Sequence, residues 1–160
     1  MISFRVIMGF ISASGTGCAA RIAGLGISTA LVIGATQPSS LDVTITGLRN
    51  VKGTVMICLT SNSRAFPDCS KDSHSHRLIV AAVKAGNVRF EGLAPGFYAI
   101  SMIHDENMNG KLDKIMMIPR EGFGFSRNPT IMFGPPRFAA AQFRIAEGST
   151  AQAIRMKYIF

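Results

Sequence analysis

The sequence predicts an all-β fold, an antiparallel two-sheet sandwich of about seven strands behind an N-terminal signal segment. Three observations carry this expectation. From Leu41 onward, apolar residues recur with a period of two rather than the period of about 3.6 that marks a helix. The apolar runs are short and separated by Gly, Pro, Asn and Ser clusters at strand-and-turn spacing. No long amphipathic helix can be drawn anywhere past the leader.

The leader comes first in chain order. Residues 1–35 contain no Asp or Glu, two arginines (Arg5 and Arg21), and small or apolar residues almost throughout. The parse that fits an export signal ends the n-region at Arg21, takes residues 22–33 as the apolar h-region, and places Ala35 before the cleavage point. A retained anchor is the competing reading, but the apolar stretch is Gly-rich and falls short of the ~18 to 20 residues that span a bilayer. A lipid-modified Cys18 lacks the aliphatic residue that such a site wants in Gly15-Thr16-Gly17. The mature chain then holds no stable transmembrane span and is expected in the periplasm or secreted. Residues 36–40 read as a linker and 41–160 as the sandwich domain.

Within the domain, Leu41-Asp42-Val43-Thr44-Ile45-Thr46 alternates apolar and polar residues, as a half-buried strand does. Residues 54–59 form a more continuous apolar run suited to a central strand, and residues 60–75 are a polar excursion. Residues 77–83 and 87–91 follow as strands, with Lys84-Ala85-Gly86 suggesting a hairpin. Residues 97–103 make another strand. Two last strands, 140–146 and 151–158, are expected to pair across Glu147-Gly148-Ser149. Without Cys18 two cysteines remain, Cys58 and Cys69, and an even pair in an exported chain predicts a disulfide.

The run His104-Asp105-Glu106-Asn107-Met108-Asn109-Gly110-Lys111-Leu112-Asp113 is the most informative stretch. Asp105, Asn107 and Asn109 place side-chain oxygens at alternate positions, Gly110 supplies a sharp bend, Lys111 a backbone carbonyl and Asp113 a second carboxylate. That pattern suits a hard cation, calcium first. It departs from a helix-loop-helix calcium site in following a strand and in having Met116 at the twelfth position, where a bidentate glutamate would stand. Glu121 could replace that ligand if the chain folds back, while Lys111 and Lys114 weaken cation binding. A dissociation constant on the order of 10⁻⁴ to 10⁻³ M is expected. The alternative is a polar turn in which Asp105, Asn107 and Asn109 bond their own backbone.

Residues 119–138 read as one long connection rich in Gly, Pro, Phe and Arg. Its phenylalanines Phe123, Phe125, Phe133 and Phe138 either pack over one end of the sandwich or, with Arg120, Arg127 and Arg137, form an exposed surface for a ligand. His74, His76 and His104 allow a metal-dependent enzyme as an alternative, and a carrier of a small apolar ligand would need a pocket lined by Met56, Phe90 or Met102. No nucleophile elbow surrounds Ser126, and no carboxylate pair stands out for glycosidic chemistry.

Three blocks occur in order: residues 104–113, Ile118-Pro119-Arg120-Glu121-Gly122-Phe123-Gly124-Phe125-Ser126, and Phe133-Gly134-Pro135-Pro136-Arg137-Phe138. Together they resemble the uncharacterised bacterial family DUF2141, a domain of unknown function, over nearly all of residues 41–158. More distantly, Phe90-Glu91-Gly92-Leu93-Ala94-Pro95-Gly96-Phe97-Tyr98-Ala99-Ile100 and the Asp105 loop resemble prealbumin-like and collagen-adhesin B-type modules. The resemblance implies an exported, prealbumin- or immunoglobulin-like sandwich. Seventeen basic against nine acidic residues give +8, but the basic residues are scattered singly and tryptophan is absent, which argues against nucleic acid and suits an envelope protein or glycan partner. The function expected is thus a non-catalytic exported module with a calcium loop, in a binding or structural role at the cell envelope.

Overall fold

The computed structural model describes residues 38–160 apart from Met117 and Phe133. The expected leader, with Cys18 and Ala35, lies outside the described residues, as do the first two positions of the linker. In chain order the strands are β1 (Ser39–Thr46), β2 (Thr54–Thr60), β3 (His76–Ala81), β4 (Asn87–Leu93), β5 (Gly96–Asp105), β6 (Lys114–Ile115), β7 (Ile118–Pro119), β8 (Gly122–Phe125), β9 (Phe143–Ile145) and β10 (Ser149–Arg155), with one short helix, α1 (Phe138–Ala141). Ser39 and Ser40, assigned to the linker on sequence, already belong to β1.

One sheet runs β10-β1-β4 and the other β3-β2-β5-β8, with β9 also on β5. This is the expected all-β, two-sheet arrangement. The alternation in β1 does what period two predicts: Leu41, Val43 and Ile45 are buried while Thr44 and Thr46 are exposed. They meet Val55, Ile57 and Leu59 of β2 and Tyr98, Ile100 and Met102 of β5 in a single core. The sheets are not wholly antiparallel. β10 runs parallel to β1, with Ile45 opposite Ile154.

Both expected hairpins are replaced by crossings between sheets. β3 pairs with β2 and β4 with β1, so Lys84-Ala85-Gly86 belongs to a passage from one sheet to the other. A 3-10 turn, Ala82–Lys84, makes that passage because Ala82 and Ala85 are small enough to be buried at the sandwich end. Likewise β9 pairs with β5, not with β10. There the Ser40 N–H donates to the Gly148 carbonyl at 2.8 Å, which steers the chain onto β1. The strand expected over 140–146 shortens to β9, preceded by α1, where Ala141 is fully buried.

The segment 119–138 is not one connection, since its first part forms β7 and β8. In β8 two glycines alternate with Phe123 and Phe125, and the strand adds to β5 with Ser101 opposite Phe125 and His104 opposite Gly122. The glycines face the tail after β10: a Cβ on Gly124 would stand 3.0 Å from the Met156 sulfur, and one on Gly122 would intrude on the Tyr158 ring. The phenylalanines face the other way. With Ala99, Ala141, Phe66 and Phe138 they form a second apolar cluster on the outer face of β5. Phe66 meets Phe125 and Phe138 edge-on, each at 5.9 Å between ring centroids. β5 is therefore covered on both faces. The predicted Cys58–Cys69 disulfide is present, its Cα atoms 6.1 Å apart, and pins the later half of the polar excursion to β2. Among the described residues no helix is long and apolar enough to cross a membrane.

Candidate metal-binding loop

The rigid, doubly covered β5 ends at Asp105, whose last register partner is Thr54. Asp105 is 1% exposed and its carboxylate organises the turn that follows: Oδ1 accepts from Asn109 N–H at 3.1 Å and Oδ2 from Gly110 N–H at 2.7 Å. Asn107 Oδ1 accepts from Asn109 N–H at 3.1 Å, and Asn109 Oδ1 from Lys111 N–H at 2.9 Å. These are Asx turns, the reason Asp and Asn populate such positions. Gly110 bends the chain at φ +75°, a conformation that costs glycine nothing.

The chain does fold back through the β6–β7 hairpin, and it brings Glu121 beneath the loop, 4% exposed. Its Oε1 accepts from Glu106 N–H and its Oε2 from Asp113 N–H, both at 3.1 Å. One carboxylate thus joins the first turn of the loop to its last residue. Asp113 faces the two asparagines: Asn107 Nδ2 donates to Oδ2 at 2.7 Å and Asn109 Nδ2 to Oδ1 at 2.9 Å. The Asn109 and Asn107 bonds, helped by the charges of Arg120 and Lys111, hold the Asp113 carboxyl below its ordinary range. An open cleft of about 260 Å³ is bounded by Arg49, Glu106, Asn107, Asp113, Arg120 and Glu121.

These residues fit a hard cation in type. Asp105, Asn107, Asn109 and Asp113 form one connected cluster of side-chain oxygens, and each Asn oxygen uses one lone pair on a backbone N–H and keeps another. The two amide NH₂ groups supply at Asp113 the partial positive charge that an ion would supply. Among the described residues no three His, Cys, Asp or Glu side chains converge closely enough to hold an ion by themselves. The Asn oxygens and the Lys111 carbonyl would have to complete the shell. Met116, at the twelfth loop position, is 90% exposed and takes no part.

The other sequence candidates fall elsewhere. His76 of β3 stands opposite Leu59 and His104 of β5 opposite Val55, about 13 Å apart along the strands and about 10 Å across the intervening β2, while His74 is exposed. His104 is fully buried with Nε2 at 2.8 Å from the Lys52 carbonyl and Nδ1 at 2.7 Å from the Tyr158 hydroxyl. The three histidines are not brought together. Of the residues assigned to a ligand surface, Phe123 and Phe125 are core, 6% and 9% exposed, because β8 turns them onto the second cluster. Arg120, Arg127 and Arg137 are exposed, but only Arg120 borders the cleft. Phe90 and Met102 are packed into the main core and Met56 points from the opposite face of β2, so they line no shared pocket.

What sequence reading missed is the polar corner beside the loop. Arg49 Nε donates to Glu106 Oε1 at 3.0 Å, its Nη2 bonds Oε2, and its guanidinium lies 4.6 Å from the centre of the Tyr158 ring. Asn50 Nδ2 also donates to Glu106. Arg49 above all pulls the Glu106 carboxyl down to about 2. Burial raises the Tyr158 hydroxyl instead. These partners lie 56 to 109 residues apart, beyond any local spacing rule.

The family model described as "Uncharacterized protein conserved in bacteria (DUF2141)" matches residues 43–153, from β1 into β10 and including the whole Asp105 loop. No curated protein and no solved structure matches the chain.

Proposed function

The chain belongs to that uncharacterised bacterial family, and we propose that it is an exported, non-catalytic sandwich module whose Asp105 loop binds calcium, fixing one end of the domain for a binding or structural role at the cell envelope. Partners of this reading are an envelope protein or glycan, met in the periplasm or outside the cell. The observation that supports it is the hydrogen-bonded set of Asp105, Asn107, Asn109 and Asp113 side chains at the end of a strand buried on both faces. Calcium would draw those oxygens inward and replace the amide donors now facing Asp113. Its chemistry there is structural, closing the loop over the Glu121 clamp.

Thermal unfolding of metal-free protein with calcium, magnesium and zinc tests the proposal. At calcium concentrations roughly ten to a hundred times the dissociation constant, selective binding to the folded state adds about 1.4 to 2.7 kcal/mol and raises the melting temperature by several degrees. Asp113→Asn removes one charge while keeping an oxygen, and should reduce the calcium shift severalfold. No calcium shift in the wild type, or an undiminished shift in Asp113→Asn, would overturn the reading.

A further inference from the structure

The β1–β2 loop, the β3–β4 crossing and the long β5–β8 connection all emerge at the same end of the sandwich, because Thr54, Ala81 and Asp105 are aligned in register there. That end exposes large apolar side chains which the core does not need. Val51 is 63% exposed, Val83 67%, Met108 70%, Ile115 47%, Met116 90% and Ile118 41%. The densest group is the β6–β7 hairpin, a two-stranded finger pairing Lys114 with Pro119 and Ile115 with Ile118. In sequence its tip is the unbroken run Ile115-Met116-Met117-Ile118. Ile115, Met116 and Ile118, exposed together on one short hairpin, gain nothing there in a monomer in water, and such groups mark a surface that is covered in use.

The charges at this end say what covers it. Lys52, Lys84, Lys111, Lys114 and Arg120 are all exposed around the apolar residues. Three of the four acidic groups here are turned inward or paired: Asp105 and Glu121 are buried against backbone N–H groups and Glu106 is paired with Arg49, while Asp113 keeps its charge, half-buried and held by Asn107 and Asn109. What faces outward is an apolar finger in a cationic ring. We propose that this end docks on an anionic lipid bilayer, with the β6–β7 hairpin inserting among the headgroups and the ring of Lys and Arg resting on lipid phosphates. Apolar insertion and cation attraction are each weak alone and add when both act on one surface. The proposal does not need the cation reading of the Asp105 loop.

The chain has no tryptophan, so single reporters can be placed cleanly. In the full chain, Met116→Trp puts one at the hairpin tip, and Phe97→Trp puts one at the opposite end of β5, where Phe97 is 58% exposed. With vesicles of equal phosphatidylglycerol and phosphatidylcholine, the Trp at position 116 should shift to the blue and be quenched by bromine-labelled lipid, and the Trp at position 97 should not. Pure phosphatidylcholine and high salt should each weaken the response. Ile115→Ser with Ile118→Ser, in the Met116→Trp background, should lower vesicle affinity about tenfold or more without changing the melting temperature. Lys111→Glu with Lys114→Glu should do so only for anionic vesicles. Equal responses at both positions, or none at position 116, would overturn the proposal. So would concentration-dependent dimerisation lost in the Ile variants in the absence of lipid binding, which would make a second copy the occupant. Running each titration in calcium and in chelator separates the two readings: tip insertion that persists in chelator supports bilayer docking whatever the loop's response to calcium.

Discussion

Tyr158 and His104 meet in a hydrogen bond of 2.7 Å that joins the tail after β10 to the end of β5. For a ring carrying one proton, its direction follows from the other partners of the two rings. The Lys52 carbonyl only accepts, so the proton on that side belongs to His104 Nε2. Tyr158 Oη accepts from Arg49 N–H at 3.3 Å and turns its own proton to Nδ1. Residues from the β1–β2 loop, β5 and the tail thereby share one buried polar link next to the candidate loop.

Tyr158→Phe should remove that link while keeping the ring under Arg49. It leaves the fully buried Nδ1 of His104 without its donor, at a cost of about 1 to 3 kcal/mol. Urea unfolding of the variant measures the loss. An unchanged midpoint would mean that the hydroxyl contributes nothing to the corner.

Glu106 gives the same corner a pH dependence. Its carboxyl, drawn from an ordinary value of 4.5 to about 2 chiefly by the hydrogen bonds from Arg49, is depressed in the folded state. The stability it contributes is therefore complete above about pH 4.5 and is lost as pH falls toward 2. Arg49 is 36% exposed, so solvent screening reduces the contribution to about 1 kcal/mol. Stability curves of wild type and Glu106→Gln should converge as pH drops from 5 to about 2.5, and parallel curves would contradict the assignment.

Gly122 is held to its identity by Tyr158. A Cβ there would stand 2.5 Å from Tyr158 Cζ, closer than any real contact, and Tyr158 cannot retreat without breaking its bond to His104. Gly122→Ala is expected to cost about 1 to 3 kcal/mol, the range for overpacking a filled site. Gly122→Ala combined with Tyr158→Phe should cost less than the sum of the two, since the phenyl ring is free to shift. Full additivity in the double-mutant cycle would count against the clash.

The architecture was legible in the alternation of β1, in the continuous run of β2 and in the length of β5, because burying one or both faces of a strand leaves its mark on local sequence. The pairing was not. Glu147-Gly148-Ser149 carries the composition of a hairpin turn, yet β9 and β10 join different sheets, since partner choice is decided by which face must be covered rather than by the turn. β8 was hidden because its inner face is glycine: Gly122 and Gly124 pass for loop residues until Tyr158 and Met156 are seen packed on them. Gly110 and the Asx pattern of the Asp105 loop were readable for the opposite reason, the bonds that Asp105, Asn107 and Asn109 accept from the loop's own N–H groups spanning two to five residues. The approach of Glu121 to the loop is readable from the sequence, whereas its bonds to the Glu106 and Asp113 N–H groups, fifteen and eight residues away, are not.

The Cys58–Cys69 bond spans eleven residues and holds Cys69, 3% exposed, beneath the polar excursion that carries Phe66 onto Phe125. Closing a loop of that length removes unfolded-state entropy worth about 2 to 3 kcal/mol in the chain-entropy model. Cys58→Ala with Cys69→Ala should lower stability by about that amount, and mass spectrometry of the purified protein before and after alkylation reads the bond directly. Two alkylated thiols at these positions without prior reduction would show that the bond is not formed.

Glu121 separates a loop held by its protein frame from one held by an ion. Both of its oxygens are committed to backbone N–H groups fifteen and eight residues back, at Glu106 and Asp113, and at 4% exposure water cannot replace it. Glu121→Gln keeps the shape but turns an NH₂ group toward one of those donors, so one buried N–H loses its acceptor and meets another donor, at about 1 to 3 kcal/mol. Hydrogen exchange at the Glu106 and Asp113 amides should then speed up about tenfold or more, while the amides of β1 stay protected. If calcium occupies the loop, adding it should slow both amides again in Glu121→Gln, because the ion would gather Asp105, Asn107, Asn109 and Asp113 from above without needing the clamp. Exchange that quickens in the variant and ignores calcium would leave the loop as a turn fastened from below.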